Sequence, residues 1–144
     1  EICACLVGSE MCIRDSNKAA QPFVTMDMST TYAGQSRFVY RTFRMLDDVR
    51  ILVTDSIGLQ NPSQSVQWSV ITSANVECKG NTAVLKKDGK SFSLKIVSPV
   101  DAFFTARAAK RGTEAEKPIE GYTILSASVS GEPVQVIKVL LSGE

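Results

Sequence analysis

The chain has 144 residues, 44% of them hydrophobic, with 16 basic and 15 acidic residues and a net charge of +1. It contains no histidine, which excludes His-based catalytic triads and His zinc sites. No run approaches the roughly 18 apolar residues of a membrane span, and there is neither a GxGxxG nor a Walker-type loop.

The chain begins with a segment unlike the rest. Back-translated, "LVGSEMCIRDS" (residues 6–16) reads as a transposase-type sequencing-library adapter. The residues before it fit a flow-cell primer end followed by a sample barcode. Residues 1–16 are therefore expected to be adapter-derived and not part of the fold. A signal peptide needs a basic start and an unbroken apolar core; here Glu10, Arg14 and Asp15 interrupt. Cys3, Cys5 and Cys12 go with this segment, and Cys78 alone remains. That leaves neither an internal disulfide nor a Cys-based metal site. Without Glu1, Glu10, Asp15 and Arg14, 15 basic and 12 acidic residues remain, a mildly basic balance. Residues 17–144 make one domain, long enough to bury a core. They join the adapter without an initiating Met, so a C-terminal fragment of a longer protein is expected.

From residue 23 onward the apolar residues recur with a period of two. The predicted strands are 23–28, 37–46, 49–57, 66–72, 75–78, 82–87, 91–97, 102–106, 122–129 and 134–141. They are separated by Gly, Pro, Asn, Asp and Ser, the pattern of an all-β, antiparallel β-sandwich. Between strands 37–46 and 49–57, a three-residue loop at Asp47, Asp48 and Val49 pairs Met45 with Ile51, Phe43 with Val53, Arg41 with Asp55 and Val39 with Ile57. One face of this hairpin is then apolar apart from the single opposed pair Arg41 and Asp55, and a guanidinium fork suits a carboxylate. In "AVLKKDGKSFSLKI", Asp88 and Gly89 suit a type I′ turn. That turn places Ala83, Leu85, Phe92, Leu94 and Ile96 on one face and Lys86, Ser91, Ser93 and Lys95 on the other. The polar stretch 107–121 is the one long loop, expected to be the most flexible part.

The remaining chemistry is sparse. Tyr32, Tyr40 and Tyr122 are expected to be structural. Trp68 alternates with Val66 and Val70, which suits core packing; the sharper alternative is a sugar-stacking platform. Lys86 and Lys95 belong to a set of strand lysines able to contact an anionic glycan, although Lys on a strand ordinarily guards an edge or meets solvent. The small net charge argues against nucleic acid. The residues call for no cofactor, no metal and no catalytic role.

Taken in order, "DMSTTY" (27–32), "RTF" (41–43), "ILVTDSI" (51–57), "VQW" (66–68) with Thr72, "GNTAVLKKDGK" (80–90), "GY" (121–122) and the closing strand 134–141 form a pattern. From about residue 23 to 144 it resembles the C-terminal β-sandwich of heparinase II/III-like polysaccharide lyases. The resemblance implies a parent enzyme with an N-terminal (α/α) toroid, and acidic, uronate-containing polysaccharides as substrates. It implies cleavage by β-elimination: a base removes the proton α to the carboxyl group, and an acid assists the departing oxygen. It also implies a periplasmic or secreted location. The sandwich would support the toroid and be inactive alone. Relatives often carry His just before the Thr of the Trp strand; Ile71 stands there, so no metal or substrate role carries over to that point. Independently of the resemblance, a carbohydrate-binding or adhesive sandwich of a secreted or surface protein fits the residues, as does a purely structural module.

Overall fold

A computed structural model describes residues 13–15, 21–110, 120–130 and 132–143. These residues form two antiparallel sheets and no helix, as the period-two pattern requires. The strands are β1 (Ile13–Asp15), β2 (Phe23–Asp27), β3 (Ser36–Met45), β4 (Arg50–Leu59), β5 (Val66–Thr72), β6 (Asn75–Lys79), β7 (Thr82–Lys87), β8 (Lys90–Ser98), β9 (Thr105–Ala108), β10 (Thr123–Val129) and β11 (Val134–Gly143). The large sheet has eight strands in the order β1-β2-β3-β4-β11-β8-β7-β6; the small one has three, β5-β10-β9.

Both hairpins take the expected registers. Asp88 and Gly89 have φ of 51° and 74°, as a type I′ turn demands, and Leu85 faces Phe92 while Ala83 faces Leu94. Across β3 and β4, Met45 faces Ile51, Phe43 faces Val53, Arg41 faces Asp55 and Val39 faces Ile57. The Leu46 amide donates to the Arg50 carbonyl at 2.9 Å, which closes the three-residue loop. Within it the Asp47 carboxylate accepts from the amides of Val49 (3.1 Å) and Arg50 (2.8 Å). β4 runs past its predicted end to Leu59. Its penultimate residue, Gly58, lies against the Phe38 ring, and a Cβ there would overlap ring atoms.

The core lies between the small sheet and the middle of the large one. Trp68, Leu125, Ala127 and Val129 come from above, and Ala83, Leu94, Ile96, Ile137 and Val139 from below. Burying the Val, Leu and Ile side chains among them contributes about 1.5–3 kcal/mol each.

The strand and the loop expected between residues 102 and 121 are corrected. The strand predicted at 102–106 begins only at Thr105 and extends through Ala108. Ala102 and Phe104 are buried and Phe103 is exposed, so the alternation is real. However, the Phe104 amide bonds to the loop carbonyl of Gly80 at 2.9 Å instead of to a strand. The loop predicted at 107–121 therefore loses Arg107 and Ala108 to β9; its central part, 111–119, lies outside the described residues. At the other end of the chain, Ile13–Asp15 pairs with β2 as the outermost strand. These three residues join the edge of the sheet, where unpaired backbone groups accept any extended neighbour. The rest of 1–16 lies outside the described residues.

Candidate functional site

The site is built on the β2–β3 connection. In "DMSTTY", Asp27 Oδ1 accepts from the Ser29 amide (2.9 Å) and hydroxyl (2.5 Å). Ser29 Oγ in turn accepts the Val39 amide at 3.0 Å, which ties the turn to the start of β3. The Tyr32 carbonyl then takes the amides of Gln35 (3.1 Å) and Ser36 (3.0 Å). The short polar side chains thus do work that a ladder would do elsewhere, and they hold Tyr32 beside Arg41.

Arg41 and Asp55 form the centre. Arg41 Nε donates to Asp55 Oδ1 at 2.6 Å, and Nη2 to Oδ2 at 2.9 Å. Asp55 is 2% exposed, whereas the Arg41 side chain keeps 30% of its surface. The hydrogen bond to Asp55 raises the Arg41 pKa above its ordinary value against the opposing effect of burial, and the charge of Asp55 and the nearby Tyr32 add to the rise. Arg41 is therefore a fixed cation, with two of its five donors committed.

A cavity of about 610 Å³ opens above this pair. Val39, Arg41, Asp55 and Ile57 line it from the large sheet, and Val66 and Trp68 of β5, with Ser65 just before it, from the small one. Its size is within the range of ordinary ligand sites. Trp68 is 7% exposed, and its Nε1 is buried with no hydrogen-bond partner. A buried donor left unpaired costs about 1–3 kcal/mol.

The sequence-derived candidates separate. Arg41, Asp55 and Trp68 meet at the cavity. Trp68 packs its ring on Phe104 (centroids 6.0 Å apart), so it is a core residue and offers no open face for a sugar to stack on. Lys86 and Lys95 lie on the opposite face of the large sheet, remote from Trp68. Lys86 is engaged with both carboxylate oxygens of Glu77 at 3.1 Å, and Lys87 with Ser73 Oγ at 2.7 Å. The three tyrosines are less buried than a core role implies. Tyr32, Tyr40 and Tyr122 remain 40–45% exposed, and Tyr40 stacks on Phe38. The unpaired Trp68 Nε1 and the cavity were not foreseen; the only hint was the one Trp standing next to a polar loop. Among the described residues no cluster of His, Cys, Asp or Glu is arranged to hold a metal, and no helix is long and apolar enough to cross a membrane.

No family model matches the sequence, and no curated protein matches it either. Solved structures do. The heparan sulfate lyase HepC from Pedobacter heparinus superposes with a TM-score of 0.67 at 10% identity over 93% of this chain and 22% of its own. A mutant of that lyase gives 0.65. A structure described as heparinase III, the BT4657 gene product, gives 0.71 at 11% identity over 94% of this chain and 21% of its own. The chain spans about a fifth of these proteins, and at such identity the likeness is one of fold: the chain has the all-β architecture of a heparinase-like domain.

Proposed function

We propose that this chain is the C-terminal supporting β-sandwich of a heparinase II/III-like polysaccharide lyase. In this reading the parent enzyme carries an N-terminal (α/α) toroid, acts outside the cytoplasm, and cleaves uronate-containing polysaccharides by β-elimination. The observation that carries the reading is the superposition of 93–94% of the chain on two heparinases, joined to the ordered motifs from "DMSTTY" to the closing strand.

The sandwich contributes position and not chemistry. A β-eliminating site needs a base for the α-proton, an acid for the leaving oxygen and a cation for the carboxylate. The chain has no histidine. Its fixed cation Arg41 and the one carboxylate of the cavity lining, Asp55, are bonded to each other through both carboxylate oxygens. The rigid hairpins instead provide a wall against which a catalytic domain packs.

The test is the coding sequence upstream of residue 17, together with its expressed product. An (α/α) toroid rich in Tyr and His supports the reading. An unrelated domain, or a toroid that does not bind the sandwich when the two are expressed separately, overturns it.

A further inference from the structure

The register of the large sheet lines up one row of residues across six strands. Arg44 faces Leu52, Leu52 faces Leu140, Leu140 faces Lys95, Lys95 faces Thr82 and Thr82 faces Lys79. Residues directly opposite one another share a face, and successive residues alternate. Val139, Ile96 and Ala83 point into the core, so their neighbours Leu140, Lys95 and Thr82 lie on the outer face, away from Trp68 and the cavity. Five steps of about 4.8 Å make the row roughly 24 Å long. Lys138 flanks it, two residues before Leu140 on β11.

Charge on this face is uneven. From β2 to β6 its strands carry the basic residues Arg44, Arg50, Lys79, Lys86, Lys95 and Lys138 against the acidic Asp27 and Glu77. Arg50 is ion-paired to Asp47 of the adjoining loop, and Lys86 to Glu77. Arg44 lies over the Phe23 ring, 4.7 Å from its centroid. Lys79, Lys95 and Lys138 have, among the described residues, no ion pair and no side-chain hydrogen bond. With Asp47 counted, the basic excess here equals that of the whole stretch 17–144, with its 15 basic and 12 acidic residues. Guarding an edge accounts for Lys79 on the outermost strand β6. Lys95 and Lys138 stand on β8 and β11, interior strands with no edge to guard.

We infer that the outer face of the large sheet carries a binding track for a linear acidic polysaccharide, laid across the strands along this row. Arg44, Lys95 and Lys79 meet successive anionic groups of the chain, and Lys138 meets one on its flank. Between the cations the half-buried Leu52 and Leu140 form an apolar floor, on which the C–H faces of sugar rings rest. Other polyanions fit less well. Single-stranded nucleic acid binds by stacking its bases on aromatic rings, and the ring at the head of this row, Phe23, is already taken by Arg44. A membrane surface is flat, whereas successive strands turn by about 20–25° each, so cations five strands apart do not share a plane. A flexible chain follows that twist. The track binds without turnover, and the inference stands whether or not the parent is a lyase.

The experiment titrates the full chain at low salt, by calorimetry, with polygalacturonate (carboxylate only), heparin (sulfated) and neutral dextran. The expected result is that an acidic polymer binds and dextran does not. The triple variant Lys79→Gln, Lys95→Gln, Lys138→Gln should weaken binding about tenfold or more and reduce the slope of log K against log salt by roughly 2, as lost counterion release requires. A charge-matched control, Lys87→Gln, Lys90→Gln, Arg107→Gln, removes as many cations from the β7–β8 hairpin tip and β9. It should change affinity by less than about twofold, since diffuse charge far from the contact is screened. Circular dichroism melts verify that both variants keep the fold. Equal weakening by the two triple variants, or no binding of either acidic polymer, overturns the inference. So does tighter binding of oligo(dT) or of phosphatidylserine vesicles than of the polysaccharides, which would assign the face to nucleic acid or to a membrane.

Discussion

Arg41 and Asp55 face each other across β3 and β4, and the guanidinium clasps the carboxylate through Nε (2.6 Å) and Nη2 (2.9 Å). The pair is unequally buried. Arg41→Ala strands a carboxylate that is 2% exposed, and should cost roughly 3–5 kcal/mol, the usual consequence of orphaning a buried charge. Asp55→Ala leaves a guanidinium with 30% of its side chain in solvent, where screening reduces the loss. Urea unfolding should therefore rank Arg41→Ala below Asp55→Ala in stability, with the double variant less than additive. Negligible losses in both single variants would deny the pair its structural role.

The reach of the sequence is visible in this pair. Arg41 and Asp55 were placed opposite each other because a three-residue loop is a local object: once Asp47, Asp48 and Val49 form it, every partner up the hairpin follows. The type I′ turn at Asp88 and Gly89 works in the same way. The small sheet was not legible, because β5 and β10 are about 50 residues apart and no turn chemistry joins them. Phe103 and Phe104 alternate as a strand would, yet their backbone partner is the loop carbonyl of Gly80, a nonlocal fact. The cavity arises where two such nonlocal pieces meet. The residues in it were individually visible, and their convergence was not.

Gly58 makes a second case for tight local fit. A Cβ at this position would lie 2.7 Å from Phe38 Cδ1, so Gly58→Ala should destabilise by about 1–3 kcal/mol through overpacking. In a Phe38→Ala background the same change should cost much less. Full additivity of the two losses in chemical denaturation would refute the contact.

Asp47 predicts a pH dependence. Its pKa lies below the ordinary value near 3.8, chiefly through the hydrogen bond from the Arg50 side chain, with the Val49 amide, the charge of Arg50 and the Arg50 amide adding to the fall. A carboxyl group whose folded pKa is depressed contributes stability that is present above its unfolded pKa and fades as pH falls toward its folded one. The melting temperature should thus decline below about pH 4, and Asp47→Asn should make that decline shallower. An unchanged slope in the variant would show that the carboxylate contributes nothing to the loop.

Trp68 carries a cost and a benefit that substitution separates. Trp68→Ala should lose about 3–5 kcal/mol by emptying the core beneath Phe104. Trp68→Phe keeps a ring in place and removes the unpaired donor, whose burial costs about 1–3 kcal/mol, so its net effect should be within about 1 kcal/mol of zero. A Trp68→Phe loss as large as that of the alanine variant would mean that Nε1 has a partner after all.

The reading of this chain as a supporting domain is tested most directly by turnover. Unsaturated uronate products absorb in the ultraviolet, so heparan sulfate, alginate and related polymers can be assayed by absorbance with the chain alone and with the parent polypeptide that includes its upstream region. The account predicts product with the parent and none with the chain alone. Turnover by the chain alone, or a parent inactive on every uronate polymer, would contradict it.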